Sequence, residues 1–271
     1  MDSDRSQANV PAVHRAVDVI ELIASAQREM SFAEIRDQLD IPRQSLVRIL
    51  NTLCQRGFLD KSSRRGLYRL GLKFLYLGHG LPDKFDFRTS AWKHMKALSQ
   101  QTGKTIELSS LDRDQLILLE QIRGSEEMSL YSRVGSVIPY LHAVSVGKVY
   151  LGVMDPDKRR SVLSKIGLPA VTKYTITDMN RLEDEIKLTQ HRGYGFEDQE
   201  LRVGVRRVAA PVFNSTGKIV GCLGMAASIF SFAIEDLDRY GRMVLSAANR
   251  TSEELGYTES PLLLKKGEAN V

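Results

Sequence analysis

The stretch SFAEIRDQLDIPRQSLVRILNTLCQRGFL, from Ser31 to Leu59, predicts two short helices joined by a tight turn. Ser31 and Glu34 have the spacing of a capping box, in which each side chain bonds a free backbone N–H of the other residue at a helix start. Pro42 disfavours helical geometry at Ile41 but suits the first turn of a new helix. The two helices are therefore expected to form a helix-turn-helix.

The second of these helices has two chemically different faces. At about 100° per residue, one flank is apolar and comprises Leu46, Val47, Leu50, Leu53 and Cys54. The opposite flank is polar, and Arg, Gln and Asn side chains can make paired hydrogen bonds to base edges in the major groove. The residues predicted to contact DNA from this helix are Arg43, Gln44, Ser45, Arg48 and Asn51. The alternative is an ordinary amphipathic surface helix, which shows the same pattern.

A predicted wing follows the second helix. Phe58-Leu59 and the run from Leu67 to Leu70 have the character of two short strands. The polar turn between them contains Arg64 and Arg65, which we expect to contact phosphates or a minor groove. Together these features predict a winged helix-turn-helix.

Charge is segregated along the N-terminal third of the chain. Residues 1–40 contain four basic and eight acidic residues, a net charge of −4. Residues 41–85 contain nine basic and two acidic residues, a net charge of +7. The positive charge therefore coincides with the predicted reading helix and wing, where neutralisation of DNA phosphates requires it.

The length, composition and charge of the whole chain limit the class of protein to which it can belong. Its 271 residues, 42% of them hydrophobic, suit two modest globular domains, and the net charge of +5 is compatible with an anionic partner. Cys54 and Cys222 lie far apart and form no pair at metal-ligand spacing, which favours buried thiols in a reducing compartment. No apolar run approaches the roughly 20 residues of a membrane span, and the acidic start lacks the features of a signal peptide. We therefore expect a cytoplasmic protein with no membrane partner.

Beyond the wing the pattern changes to mixed strands and helices, which favours an α+β fold with an antiparallel sheet. Helices are predicted at 13–26, 87–102, 142–154, 157–166, 178–191 and 234–255, and strands at 105–111, 115–122, 128–134, 205–213 and 219–227. The predicted organisation is a winged helix-turn-helix domain at 10–72, a linker at 73–86, an α+β sensory domain at 87–256 and a tail at 257–271.

Four segments, taken in order, resemble the isocitrate lyase regulator (IclR) family of bacterial transcription factors. They are RAVDVI at 15–20, IPRQSLVRIL at 41–50, LHAVSVGK at 141–148 and DQELRVGVRRVAAPVF at 198–213. The resemblance implies an N-terminal winged helix-turn-helix, a linker helix and a GAF/PAS-like effector domain around an antiparallel sheet. It also implies homodimers or tetramers on near-palindromic operator DNA. One departure is Leu46, where family members often have threonine, and this puts the individual base contacts in doubt.

The resemblance also places an effector pocket between the helix that follows the LHAVSVGK segment and the central sheet. The residues implied to line it are Ser145, Val146, Glu197, Arg207, Gly224 and Ala226, with His142 nearby. The positions of Gly224 and Ala226 often hold serines in family members that bind very small acids. We therefore hypothesise that the pocket here is roomier and binds a larger carboxylate, such as an aromatic acid. Arg207 either anchors this anion through a bidentate fork or forms an internal ion pair with Glu197 or Glu200. Both alternatives are open.

Enzyme chemistry finds no support in the sequence. Gly147-Lys148 lacks the preceding glycine of a phosphate loop, and Val149 stands where Ser or Thr would hold magnesium. The five histidines form no zinc-binding pair at helical spacing, and no nucleophile elbow occurs. We therefore expect no cofactor, no metal and no catalysis. The favoured function is a ligand-responsive DNA-binding regulator of a catabolic operon; the alternative is a small-molecule sensor or enzyme whose N-terminal domain mediates protein contacts.

Overall fold

The structure is a computed structural model that describes residues 10–26, 28–62, 66–78, 82–125, 130, 132–138 and 140–258. The chain divides between Pro82 and Asp83 into two compact units. Arg64, Arg65 and residues 259–271 of the predicted tail lie outside the described residues. No helix in the described ranges has both the length and the apolar character that a bilayer span requires.

The N-terminal unit is a winged helix-turn-helix, as predicted. Its helices are α1 (Pro11–Ala26), α2 (Phe32–Gln38), α3 (Arg43–Gln55) and α4 (Lys73–Gly78), and its strands are β1 (Leu59–Lys61) and β2 (Tyr68–Leu70). The two strands pair antiparallel and form the base of the wing. A separate bridge joins Met30 to Tyr68 and ties the segment before α2 to the wing.

The capping box at the start of α2 is confirmed. The Ser31 N–H donates to Glu34 Oε2 at 2.7 Å, and the Glu34 N–H donates to the Ser31 hydroxyl at 3.3 Å. Two of the backbone donors left free at a helix start are thereby satisfied. Pro42 immediately precedes α3 as its N-cap residue, one position before the first turn in which it was expected.

The predicted packing face of α3 needs one correction. Leu46, Leu50 and Leu53 are buried, but Val47 is 41% exposed and Ile49, which was not assigned to that face, is buried. The buried positions follow the i, i+3, i+4, i+7 spacing of a single helical stripe, and Val47 falls at its edge. The apolar stripe is therefore rotated slightly from the expected one.

The C-terminal unit is built on a six-stranded antiparallel sheet in the order β5-β4-β3-β8-β7-β6. Its strands are β3 (Thr105–Asp112), β4 (Gln115–Ile122), β5 (Val137–Ile138), β6 (Gly195–Asp198), β7 (Val205–Phe213) and β8 (Ile219–Ser228). Its helices are α5 (Pro82–Thr102), α6 (Ser145–Val153), α7 (Pro156–Ile166), α8 (Met179–Arg192) and α9 (Leu237–Glu254). This is the α+β arrangement of an antiparallel sheet with helices that the resemblance implies.

Both faces of the sheet are covered. Alternate residues of β7 point to opposite faces, so Val208 packs against α5 and α9, whereas Ala209 packs against α6, α7 and α8. Ala210 and Val212 continue the first face, which also carries Arg206, half-buried and bonded to Asp198 and to the Phe232 carbonyl. The second face carries Arg207, so one arginine of β7 lies on each face of the sheet.

Several predicted boundaries shift, and one strand was missed. The predicted strand at 128–134 is wrong in its described part, where Val134 and Gly135 form a turn and the strand is instead β5. Residues 126–129 and 131 lie outside the described residues. A 3-10 turn at Leu141–Ala143 precedes α6, so the predicted helix at 142–154 begins at Ser145. The missed strand is β6, whose four residues, GFED, lack the apolar run that predicts a strand.

Candidate functional site

The exposed face of α3 is the first candidate site. Arg43, Gln44, Arg48 and Asn51 are exposed side by side on this helix. Ser45 is half-buried, and Arg15 Nη1 donates to its hydroxyl at 3.5 Å. The apolar stripe of α3 is buried against α1 and the rest of the unit. The polar side chains are therefore presented to solvent on a helix that packing holds in place.

Among the described residues, the cations of this face have no internal partner. Within the described ranges, neither Arg43 nor Arg48 forms an ion pair or a side-chain hydrogen bond. Two other arginines of the same unit are paired: Arg28 with Glu34 at 2.7 Å, and Arg69 with Asp60 at 3.5 Å. Uncompensated guanidinium groups on an exposed helix are suited to phosphates and to guanine edges.

The second candidate site is a charged cluster inside the C-terminal unit. Arg207 on β7 lies directly opposite Glu197 on β6 and Ala226 on β8, and Glu107 on β3 lies opposite Gly224 on β8. Residues directly opposite one another, and residues two apart on one strand, share a face of the sheet. The structure therefore brings four of the predicted effector residues together and adds Glu107 to them.

Arg207 is held by two carboxylates. Its Nη1 donates to Glu197 Oε2 at 2.9 Å, and its Nε lies 3.8 Å from Glu107 Oε2. Burial lowers the pKa of Arg207, but the Glu197 and Glu107 carboxylates outweigh it and leave that pKa raised. The ion pair with Glu197, one of the two alternatives for Arg207, is thus present. Glu107 also accepts a hydrogen bond from Gln121 Nε2 at 2.9 Å.

A second ion pair lies fully buried beside this cluster. Lys148 on α6 donates from Nζ to Glu200 Oε1 at 2.5 Å and to the Phe196 carbonyl at 2.9 Å. Glu200 Oε2 is buried and has no hydrogen-bond partner within the described ranges. Burial raises the pKa of Glu200 more than Lys148 lowers it. Two cations, Arg207 and Lys148, thus face three carboxylates, Glu107, Glu197 and Glu200, with a net charge of −1 when all are ionised.

The start of α6 is pressed against β6, next to this cluster. A Cβ added to Gly195 would lie 2.3 Å from the Ser145 carbonyl oxygen, a distance that only glycine permits. Ser145 is buried and Val146 is half-buried in the apolar layer under α6. Both predicted residues therefore lie where the helix meets the sheet.

The side chain of His142 makes its contacts elsewhere than at the Arg207 cluster. It is fully buried, and its Nε2 bonds the Pro169 carbonyl at 3.0 Å. Its ring meets the Tyr140 ring edge-on at 6.5 Å, and burial lowers its pKa. The contacts recorded among the described residues do not join it to Arg207.

Sequence reasoning missed Glu107 and the Lys148–Glu200 pair. Each has a visible signal, because Glu107 and Lys148 are single charges inside otherwise uncharged segments, TIELSS and VGKVYLGV. A lone charge in such a segment is rarely buried without a partner. No cluster of three or more His, Cys, Asp or Glu side chains that could hold a metal ion occurs in the part of the chain that the structure describes.

Family profiles match both units of the chain. The profile described as the IclR helix-turn-helix domain matches residues 12–63, and the one described as the bacterial transcriptional regulator IclR C-terminal domain matches residues 80–253. The second match alone covers more than half of the chain. The two matches follow the same order as the two units of the structure.

Individual proteins agree with the profiles. The chain is similar to the HTH-type transcriptional regulator KdgR of Escherichia coli K12, with 28% identity over 96% of this chain and 98% of that protein. An IclR transcriptional regulator from Alicyclobacillus acidocaldarius has a TM-score of 0.80 with 26% identity, over 92% of this chain and all of the other. An IclR homologue from Microbacterium hydrocarbonoxydans, solved with 4-hydroxybenzoate, shares the fold with a TM-score of 0.81 and 24% identity over 90% and 98% of the two chains.

Proposed function

This chain belongs to the IclR family of ligand-responsive bacterial transcriptional regulators, and from that premise we propose which of its residues read DNA and which bind the effector. We further propose that it acts in the cytoplasm as a homodimer or tetramer and controls a catabolic operon. The observation that carries the DNA-binding role is the exposed face of α3, where Arg48 is presented to solvent and has no side-chain partner among the described residues.

The reading helix is α3. Arg48, Gln44 and Asn51 make the base-edge contacts, because their side chains are exposed and capable of paired hydrogen bonds. Arg43 and Ser45, in the first turn of α3, contact the DNA backbone. Such phosphate contacts fix the position of the protein on the duplex without reading its sequence. Arg64 and Arg65, outside the described residues, are proposed from the sequence as the clamp of the wing. A two-fold dimer would present two such helices to successive half-sites.

The DNA-binding role is tested by a gel shift with the DNA upstream of the protein's own gene and of the adjacent operons. Titration at several salt concentrations separates specific binding from the electrostatic background, because phosphate contacts weaken steeply with salt. We expect one upstream fragment to bind more tightly than random duplex of the same length. Equal affinity for every duplex at every salt concentration would contradict the proposal.

The effector site is the cluster around Arg207. Its Nη1 donates to Glu197, and its Nε is ion-paired with Glu107 at 3.8 Å, which is too long for a hydrogen bond. Within the described ranges the Nε–Nη2 edge therefore donates no hydrogen bond. This edge of a guanidinium is the one to which a carboxylate can bind through two parallel hydrogen bonds. On the same face of the sheet, Gly224 has no side chain and Ala226 has a small one. The small residues support a ligand larger than the smallest acids.

We propose an aromatic carboxylate as the effector, and the homologue solved with 4-hydroxybenzoate supplies the probe. Because the cluster carries a net charge of −1, a bound carboxylate should further raise the pKa of Glu200, which burial already raises. We therefore expect binding to take up a proton and to be tighter at lower pH. Calorimetry in buffers of different ionisation enthalpy measures this uptake directly.

The anchor is tested with Arg207→Lys, which keeps the charge beside Glu197 but loses the planar fork. Arg206→Lys is the matched control, because Arg206 is the next residue and bonds Asp198 at 2.8 Å and the Phe232 carbonyl at 2.7 Å instead. We expect Arg207→Lys to weaken 4-hydroxybenzoate binding by about tenfold or more, and Arg206→Lys to leave it unchanged. Unchanged affinity in both variants would remove Arg207 as the anchor.

A further inference from the structure

Most charges in the cluster around Arg207 are already committed to the fold. Lys148 Nζ donates to Glu200 and to a backbone carbonyl. Glu197 accepts from Arg207 through Oε2 and from the Leu201 N–H through Oε1 at 3.0 Å. The side chains of Lys148 and Glu197 are only 1% and 0% exposed, and Glu200 Oε2 is buried as well. These groups are therefore out of reach of a ligand.

Arg207 and Glu107 are the open members of the cluster. Their side chains are 12% and 13% exposed. The Nε–Nη2 edge of Arg207 donates no hydrogen bond within the described ranges. Glu107 Oε1 accepts from Gln121 Nε2 at 2.9 Å, but Glu107 Oε2 accepts no hydrogen bond from any described residue. A carboxylate oxygen can accept two, so this atom has unused capacity.

The two open groups lie side by side. Glu107 Oε2 is 3.8 Å from Arg207 Nε. The groups meet across β8, where Gly224 lies opposite Glu107 and Ala226 lies opposite Arg207. Since Gly224 has no side chain and Ala226 has a small one, β8 carries little bulk between the two groups. A ligand bound there meets a guanidinium edge and a carboxylate oxygen at once.

This arrangement sets a condition on the ligand. A carboxylate on the open edge of Arg207 comes close to the Glu107 carboxylate, and like charges repel strongly in a partly buried site. A donor on the carbon next to the ligand's carboxylate relieves this repulsion, because it can donate to Glu107 Oε2 while the carboxylate stays on Arg207. The hydroxyl of 4-hydroxybenzoate lies across the ring from its carboxylate, so it cannot take this position.

On the basis of the effector site proposed above, we propose that Glu107 determines its specificity and selects aromatic acids with a hydroxyl or ammonium group on the carbon next to the carboxylate. Arg207 binds the carboxylate, and Glu107 Oε2 accepts from the donor. Glu107 also disfavours plain acids, which bring a negative charge without a donor. Hydroxy acids and amino acids share this chemistry.

Three aromatic acids of nearly equal size test this selection by calorimetric titration of the full-length protein. Phenylacetate has no donor on the adjacent carbon, mandelate has a hydroxyl, and 2-phenylglycine has an ammonium group. We expect mandelate or 2-phenylglycine, in one enantiomer, to bind at least about tenfold more tightly than phenylacetate, because phenylacetate leaves Glu107 unpaired beside its own charge. The tighter of the two identifies the donor. Phenylacetate binding as tightly as both would overturn the proposal.

Glu107→Gln tests the residue itself, since it keeps an acceptor oxygen and removes the charge. Phenylacetate should bind about fivefold more tightly or better, 2-phenylglycine about tenfold more weakly, and mandelate should change least. Glu120→Gln is the matched control, because Glu120 lies on the neighbouring strand and pairs with Arg88 at 2.6 Å instead. An equal change for all three acids, or the same changes in the control, would overturn the proposal.

Arg207→Lys separates this proposal from the effector site on which it rests. If this variant weakens binding of all three acids while Glu107→Gln leaves their order unchanged, the effector site stands and the role of Glu107 is wrong. If Arg207→Lys changes none of the affinities, or if the wild-type protein binds none of the acids, the effector site is wrong and the role of Glu107 is wrong with it.

Discussion

The two units of this protein treat their charged side chains in opposite ways. On α3 the guanidinium groups of Arg43 and Arg48 are exposed and unpaired within the described ranges. Under α6, Lys148 and Glu200 are almost fully buried and bound to each other at 2.5 Å. The exposed cations are available to an external anion, whereas the buried charges are committed to internal partners. The difference separates the surface that we propose to bind DNA from the interior that we propose to bind a small ligand.

Exposed and buried charges also contribute differently to the stability of the fold. An exposed charge keeps its hydration, so removing it changes folding very little. A buried pair has lost its hydration, and removing one partner leaves the other without compensation. Substitutions in the C-terminal cluster should therefore affect folding, and those on α3 should affect binding alone.

The largest expected effect is that of Lys148→Met. It leaves the Glu200 carboxylate buried without its partner and should lower the free energy of unfolding by about 3–5 kcal/mol. The double variant Lys148→Met/Glu200→Leu should recover most of this loss. Urea unfolding of the three proteins measures both values, and equal losses in the single and double variants would show that the pair is not the cause.

The same variant should have a distinctive pH dependence. Burial raises the pKa of Glu200, so the folded state binds its proton more tightly than the unfolded state does. The stability linked to that proton is present below the unfolded pKa and is lost as the pH rises through the folded pKa. Without Lys148 this raised pKa should rise further, so Lys148→Met should lose more stability at neutral pH than at acidic pH.

Arg48→Ala should have the next largest effect, on DNA binding and not on folding. Loss of a paired base contact should weaken binding to the operator by about 1–3 kcal/mol while changing binding to random duplex much less. Arg64→Ala and Arg65→Ala should weaken both to a similar extent, because phosphate contacts do not read sequence. Gel shifts on both duplexes measure the division, and equal losses for all three variants would contradict it.

Ser31→Ala should cost less, since it removes one of the two bonds of the capping box. We expect a loss of about 1 kcal/mol in the stability of α2, as for other N-cap serines. Ser25→Ala is the control, because Ser25 is exposed near the end of α1 and bonds only the Leu22 carbonyl. Amide hydrogen exchange of α2 reports this local loss, and a similar loss in the control would argue against a capping effect.

The smallest expected effect is the pH dependence of the same box. The Ser31 backbone N–H, together with Arg28, lowers the pKa of Glu34 to about 2. The stability contributed by the ionised Glu34 carboxylate is therefore fully present above pH 4.5, its ordinary pKa, and is lost as the pH falls toward about 2. Glu34→Gln should abolish this acid-side change in the protection of α2. Identical pH profiles for the two proteins would show that the carboxylate does not contribute.

Much of the fold could be predicted because its signals are local. The capping box of α2, the glycine that ends α8 and the two long hairpins each depend on neighbouring residues alone. The features that were predicted wrongly or missed depend on contacts between distant parts of the chain. Strand β6 is visible only through its pairing with β7, and the burial of Ile49 in place of Val47 depends on where the other helices contact α3.

The candidate sites divide in the same way. The polar face of α3 follows from helical periodicity, so the sequence alone indicated which residues are exposed there. Arg207 was expected to meet either a ligand or a carboxylate, and periodicity could not distinguish these alternatives. Its neighbour Glu107 lies a hundred residues away in the chain and meets it across β8.

By itself the sequence determined that this is a winged helix-turn-helix joined to an α+β unit, because capping, proline geometry and hydrophobic alternation act over a few residues. Only the tertiary structure decided which charges are buried and what neutralises them. Burial sets the energy of a charge through all the atoms that surround it, and those atoms come from strands and helices far apart in the chain. The pairing of Arg207 with Glu197 and of Lys148 with Glu200 belongs to that second kind of knowledge.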